Sequence, residues 1–203
     1  YCAARRSHGT AAAVVVLTKQ AKKYGADAAL LVTPYYNKPT QEGLYRHYKE
    51  VAEAVDIPLV LYNVPGRTAV NMLPSTVARL AEIKNIVAIK EASGDMKQVS
   101  EIIRLCGDRM TVISGDDFTT LPLLALGGKG VISVSANVAP KDVSMMCSLW
   151  LKGQYDKARA IHYKLEPLNA VMFIETNPIP VKTALAMMGR IQEELRLPLC
   201  EMS

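Results

Sequence analysis

Ile86-Val87-Ala88-Ile89-Lys90-Glu91-Ala92-Ser93-Gly94 is a short run, apolar and β-branched at first, that ends in a lysine. An ammonium group cannot pass through the middle of a buried strand without a large desolvation cost. At the C-terminal end of the strand the side chain can instead enter a pocket. Desolvation there favours the neutral amine, the form that attacks a carbonyl. A second run of the same kind, Pro58-Leu59-Val60-Leu61-Tyr62-Asn63-Val64-Pro65-Gly66-Arg67, lies upstream and ends in a tyrosine and an arginine. A lysine, a phenol and a guanidinium at neighbouring strand ends point to carbonyl chemistry on an acidic substrate.

Three more apolar runs followed by turn residues, at 28–32, 111–114 and 130–134, bring the series to five, starting 19–30 residues apart. Helical patterns separate them. In 41–55, Leu44, Tyr48, Val51, Ala52 and Val55 share a face, and Val99, Ile102, Ile103 and Cys106 form the next stripe, which stops at Gly107. The segment 74–83 opens on Pro74, whose missing N–H is harmless in a first turn. Near-continuous apolar strands alternating with amphipathic helices predict a parallel sheet covered by helices, an α/β fold. After Ala139 the strand signals cease, and 140–151, 155–173 and 178–188 read as helices. A Gly-rich phosphate loop after the first strand, the mark of a doubly wound sheet, is absent. Residues able to do chemistry finish nearly every strand, which is the habit of a barrel. A closed barrel has eight strands. The expected fold is therefore a partial (β/α)8 TIM barrel, about strands 4–8, followed by a C-terminal helical extension. Residues 1–139 would form the partial barrel units, and 140–203 the last barrel helix and the extension.

Half of the 203 residues are hydrophobic and 21% are charged, so a packed core is expected rather than disorder. The net charge of +5 is not arranged as a basic stripe interleaved with aromatics; with two phenylalanines and one tryptophan, nothing points to nucleic acid. Cys2, Cys106, Cys147 and Cys200 are scattered without metal or redox spacing, which fits a reducing cytoplasm. Arg5-Arg6 followed by an apolar stretch at 11–17 imitates a secretory leader, but the stretch runs straight into Thr18-Lys19-Gln20-Ala21-Lys22-Lys23, as an amphipathic helix would. No segment approaches the ~20 apolar residues of a membrane span.

Four motifs in order, Thr33-Pro34-Tyr35-Tyr36-Asn37-Lys38-Pro39, Leu61-Tyr62-Asn63-Val64-Pro65-Gly66-Arg67-Thr68, Ile89-Lys90-Glu91-Ala92-Ser93-Gly94 and Ser114-Gly115-Asp116-Asp117, are joined by Asn177-Pro178-Ile179-Pro180-Val181-Lys182 in the helical tail. Together they resemble the 4-hydroxy-tetrahydrodipicolinate synthase (dihydrodipicolinate synthase) family of class I pyruvate-dependent aldolases, from about residue 10 to 203. The resemblance implies a lyase of lysine and diaminopimelate biosynthesis. It would condense pyruvate with aspartate β-semialdehyde through a lysine Schiff base, without metal or organic cofactor, as a cytoplasmic homo-oligomer (dimer or tetramer). Two departures stand against it. The family's Gly-Thr-Thr-Gly-Glu turn, which binds the pyruvate carboxylate and supplies a catalytic threonine, does not occur, and residues 1–8 do not resemble the end of a third strand. Ser203 is a helix N-cap type with no helix after it. The chain is thus expected to lack three strands and a final helix, and its activity to be impaired.

On this resemblance Lys90 forms the imine, and Tyr62 passes protons during imine formation and cyclisation. Tyr36 corresponds to the tyrosine that reaches into a neighbouring subunit's site to complete a Thr–Tyr–Tyr relay; Tyr35 corresponds to a residue near a lysine-feedback site. Arg67 would hold the carboxylate of the second substrate by its bidentate fork, while Gly115 and Ile132 line the pyruvate pocket. Without the resemblance, each has a plainer reading: a solvated lysine or arginine, or a packed aromatic. Glu91 points to the opposite face from Lys90 and is expected to be structural. Asp116-Asp117, without a histidine nearby, reads as a polar turn capping the next helix, and Gly127-Gly128-Lys129-Gly130 as a helix-to-strand turn rather than a phosphate cradle. His8 stands alone, His47 and His162 are expected on helix surfaces, and Met145-Met146 and Met187-Met188 in helix packing. Two rivals remain: a pyruvate aldolase of the N-acetylneuraminate or 2-keto-3-deoxy sugar-acid type, which usually lacks an arginine where Arg67 stands, and a non-catalytic fragment acting through its helical tail.

Overall fold

The computed structural model describes residues 10–203. The readings at Cys2, at Arg5 and Arg6, at His8 and at the start of the 1–139 unit lie outside the described residues. Among these, four parallel strands occur, β1 (Ala29–Val32), β2 (Leu59–Asn63), β3 (Ile86–Glu91) and β4 (Thr111–Ser114), and their order in the sheet is their order in the sequence. The helices connecting successive neighbours pack in one buried layer against the sheet, as crossovers of one hand require. These helices are α2 (Gln41–Ala54), the four-residue α3 (Pro65–Thr68) with α4 (Pro74–Leu80), and α5 (Met96–Cys106); α1 (Ala11–Lys23) precedes β1. This single winding is that of a barrel, and the chain is a partial (β/α)8 barrel followed by helices.

Alternation along the strands, interrupted in β3 by the irregularity between Ile86 and Ala88, assigns the two faces. Ala29, Leu31, Leu59, Leu61, Ile86, Ile89 and Val112 turn to the helices, where they form one buried cluster with Leu44, Tyr48, Val51, Leu80 and Ile102. Truncating one of these, such as Ile89 to alanine, would cost about 2–5 kcal/mol. Tyr48 buries its phenol in this layer, donates to the Leu31 carbonyl at 3.2 Å, and has its ionisation pushed well up by burial. Asn63, Glu91 and Ser114 end the same face with polar, buried groups. The opposite face carries Tyr62 and Lys90.

The fifth run is a correction. Instead of a strand over 130–134, the chain makes a single parallel bridge, Ser114 with Val131, and then a short 3-10 turn, Ser135–Asn137. The reason lies in the hydrogen bonds: the Val134 and Ser135 amides donate to the Asp117 carboxylate at 2.9 and 3.1 Å, so they are withdrawn from any ladder. Beyond α6 (Thr120–Ala125), the remaining helices are α7 (Pro140–Leu151), α8 (Tyr155–Val171) and α9 (Ile179–Met187), close to their expected spans. Leu121, Val143, Met146, Ala158 and Leu165 form a second buried cluster among α6, α7 and α8. Two side-chain expectations fail here. His162 is buried in α8, with Nδ1 lacking a hydrogen bond, and His47 is half-buried; Met146 is packed, but Met145, Met187 and Met188 are exposed. Among the described residues, no helix is long and apolar enough to cross a membrane.

Candidate active site

Tyr62 and Lys90 are direct cross-strand partners at the C-terminal ends of β2 and β3. Their side chains therefore leave the sheet on the same side, and the Lys90 Nζ stands 4.3 Å above the centre of the Tyr62 ring. Lys90 is 9% exposed, although its cross-strand neighbours Tyr62 and Ile113 are only partly covered.

The lysine stem is seated by the absence of a side chain at Gly115, just after β4. A Cβ there would lie 2.8 Å from the Lys90 Cε and 2.8 Å from the Ala92 Cβ. The Gly115 amide donates to the Glu91 carbonyl at 2.8 Å, so the close approach is fixed by backbone. Ile132 follows on: its amide donates to the Ser114 carbonyl at 2.9 Å, placing it at the next edge of the same rim with a half-exposed side chain. The 126–130 segment is a turn as expected, but it leads from α6 to the single bridge at Val131 rather than to a strand, with the Gly128 amide on the Leu123 carbonyl at 3.0 Å and the Lys129 amide on the Val112 carbonyl at 2.9 Å. A side chain at Gly128 would strike Leu123, so the turn is packed rather than open to a phosphate.

Arg67 sits in α3, directly after β2, and its Nη2 donates to the Asn177 carbonyl at 3.2 Å. The tail thus returns over the strand ends beside an exposed guanidinium. Thr33, at the end of β1, joins the same rim: its hydroxyl contacts that of Thr68 at 3.3 Å, and Thr68 in turn donates to backbone carbonyls of its own turn. Tyr36, by contrast, is 90% exposed in the loop after β1 and is not gathered with Lys90 and Tyr62; Tyr35 is also exposed.

The acidic pair after β4 differs from expectation. Asp117 does not cap the helix that follows. Buried, it accepts from the Ser133 hydroxyl and from the Val134 and Ser135 amides, and so fastens the loop that carries Ile132. Ser135 continues the chain of contacts to Asn169 of α8 at 2.6 Å. Asp116 makes the local turn, accepting from the Phe118 amide at 3.1 Å, and burial, together with the adjacent Asp117 charge, pushes its carboxyl up. Among the described residues, no group of three or more His, Cys, Asp or Glu side chains is placed to hold a metal ion.

The model of the dihydrodipicolinate synthetase family matches residues 6–203. The 4-hydroxy-tetrahydrodipicolinate synthase of Thermodesulfovibrio yellowstonii is 74% identical over 189 residues, which are 93% of this chain and 65% of that protein. The dihydrodipicolinate synthase of Aquifex aeolicus superposes with a TM-score of 0.94 at 53% identity, over 96% of this chain and 67% of that one. A chloride-inhibited dihydrodipicolinate synthase from Acinetobacter baumannii, solved with pyruvate, gives 0.94 at 51% identity, with the same coverage of 96% and 67%. The chain spans about 65% of the length of the curated relatives it matches. With four ordered motifs at the strand ends and a matching family model over nearly all of its residues, this chain belongs to the dihydrodipicolinate synthetase family.

Proposed function

We propose that this chain carries the imine-forming part of a 4-hydroxy-tetrahydrodipicolinate synthase, a lyase that condenses pyruvate with aspartate β-semialdehyde in lysine biosynthesis. The Lys90 amine attacks the keto carbon of pyruvate; water leaves, and the iminium acts as an electron sink for loss of a methyl proton. The resulting enamine carbon attacks the aldehyde of the second substrate. The semialdehyde's own amine then displaces Lys90 as the ring closes, so the lysine is regenerated without an external cofactor. Tyr62 is positioned to pass protons at Lys90, Gly115 and Ile132 to bound the pyruvate pocket, and Arg67 to grip the carboxylate of the semialdehyde. Tyr36 would serve a neighbouring subunit, which makes a homo-oligomer the proposed working form. Residues 1–139 are proposed as the barrel unit and 140–203 as its closing helix and tail, with Leu121 of α6 packing across that boundary against Val143, Met146, Ala158 and Leu165.

The observation that carries this reading is the buried Lys90 Nζ over the Tyr62 ring, 4.3 Å from its centre, at the ends of paired strands. Arg67 favours the semialdehyde, which carries a carboxylate of its own, over the uncharged aldehyde partner of a sugar-acid aldolase. Reduction with borohydride in the presence of pyruvate, followed by peptide mass mapping, tests it. A pyruvyl adduct on Lys90 is expected, and a folded sample with no adduct on Lys90 overturns the proposal.

A further inference from the structure

Directly behind the Tyr62–Lys90 pair, on the helix-facing side of the same sheet, the next rung is Asn63 with Glu91. Glu91 is 2% exposed, and N–H groups meet both of its oxygens: the Asn63 amide at 3.0 Å, the Gln98 amide at 3.3 Å and the Ser93 backbone at 2.7 Å. Asn63 also donates to the Asn71 side chain at 2.8 Å and accepts from the Met72 amide at 2.9 Å. Asn71 and Gln98 close the circuit through a 2.9 Å bond. The ends of β2 and β3, the start of α5 and the loop before α4 are thereby tied through one buried polar cluster.

Burying a carboxylate is costly, and hydrophobic residues of similar volume would fill the layer more cheaply. What such residues would not do is specify register. The ladder between β2 and β3 is irregular at its start, where Leu59 pairs with Ile86 but Val60 pairs with Ala88. The alignment at the far end is therefore not inherited from the near end. A slip of one residue would send Tyr62 or Lys90 to the wrong face of the sheet.

We propose that Asn63, Glu91 and Gln98 are positioning residues for the Tyr62–Lys90 pair. The hydrogen-bonded rung on one face holds the two strand ends level, and so sets the spacing of the reactive side chains on the other face. This rests on the function proposed above. It goes further by giving the neighbours of Tyr62 and Lys90 a part in setting the geometry of imine formation.

The test compares Glu91→Gln, Gln98→Ala and the exchange Asn63→Asp with Glu91→Gln against the parent chain. The first turns a donor-bearing amide toward groups that are themselves donors; the exchange restores a donor–acceptor rung with its charge moved across. The readout is the rate of borohydride-trapped pyruvyl adduct on Lys90 at saturating pyruvate, well below each variant's melting temperature, together with the half-saturating pyruvate concentration. Glu91→Gln is expected to trap roughly tenfold more slowly with half-saturation little changed, Gln98→Ala roughly threefold more slowly, and the exchange to recover most of the loss. Parent-like trapping by a folded Glu91→Gln overturns the inference, as does a loss matched by its unfolded fraction. If Glu91→Gln does not fold, Gln98→Ala decides on the same terms. A parent chain that forms no adduct overturns the proposed function instead. The positioning role is then read by competitive acetylation of Lys90 relative to the other lysines, which needs no pyruvate, and an unchanged ratio in Glu91→Gln overturns it.

Discussion

Arg67 and Asn177 meet across 110 positions of sequence: the guanidinium Nη2 donates to the Asn177 carbonyl at 3.2 Å, joining the turn after β2 to the entry of α9. The contact is exposed and uses only part of the guanidinium's five donors, so the remaining donors stay available to a carboxylate. Arg67→Ala is therefore expected to leave imine trapping of pyruvate on Lys90 unchanged while raising the KM for aspartate β-semialdehyde about 10- to 100-fold. Stability should move by less than about 1 kcal/mol, since an exposed hydrogen bond contributes little net. Steady-state kinetics with each substrate varied in turn, beside a denaturant titration, check both parts.

Gly115→Ala tests the seat of the lysine. The new methyl carbon would stand 2.8 Å from both the Lys90 Cε and the Ala92 Cβ, and 3.1 Å from the Lys90 Cγ, so the lysine stem must shift. The flexible stem gives way more readily than Ala92, which follows β3 and whose amide is held by the Asn63 carbonyl at 2.9 Å. Trapping of pyruvate on Lys90 is expected to fall at least about tenfold, with an overpacking cost of roughly 1–3 kcal/mol in a denaturant melt. Parent-like trapping would show that the lysine does not depend on this clearance.

Most of the fold was legible because its periodicities are clean. The β2 and β3 runs are apolar and β-branched, their helices carry unbroken stripes, and Lys90 and Tyr62 end strands that pair in register. What eluded the sequence was set by contacts distant along the chain. The fifth apolar run has strand composition, but Asp117, 17 residues before Val134, takes its amide and leaves one bridge. Nothing local distinguishes a carboxylate that caps its own helix from one that reaches a later loop. Alternation puts Glu91 on the correct face, but its partners Asn63 and Gln98, and Asn71 that bridges them, come from three other segments. His162 lies on the packed side of a helix whose polar and apolar residues alternate too loosely to mark a face.

His47 carries a pH-dependent component of stability. On α2 it stands edge-on to the Tyr48 ring, with centroids 5.1 Å apart, and burial pulls its pKa below the ordinary 6.5. The folded chain then binds this proton less tightly than the unfolded chain. Its contribution to stability is fully present above the unfolded value and is lost as pH falls through 6.5 toward the lower folded value. Melting temperatures of the parent are expected to drop between pH 7.5 and 5.5 by more than those of His47→Gln, whose side chain does not titrate. Parallel slopes for the two proteins would show that His47 takes no part.

Asp117 is the pin that holds the Ile132 loop against β4, and its removal separates rim geometry from lysine chemistry. The carboxylate accepts the Val134 amide at 2.9 Å and the Ser135 amide at 3.1 Å as well as the Ser133 hydroxyl, all within a buried setting. Asp117→Ala leaves those donors without a protein acceptor, and about 2–4 kcal/mol of stability is expected to go with it. Asp117→Asn keeps one acceptor oxygen but turns an NH₂ toward the loop, so a smaller loss of about 1–2 kcal/mol is expected. The Tyr62–Lys90 pair is built on β2 and β3, which are separate segments from this loop. In the folded asparagine variant, Lys90 should still be trapped by pyruvate, but at a higher half-saturating concentration, because the rim carrying Ile132 is loosened. Denaturant midpoints for both variants and the pyruvate dependence of trapping for Asp117→Asn check this, and an unchanged half-saturation would mean that the loop does not bound the pyruvate pocket.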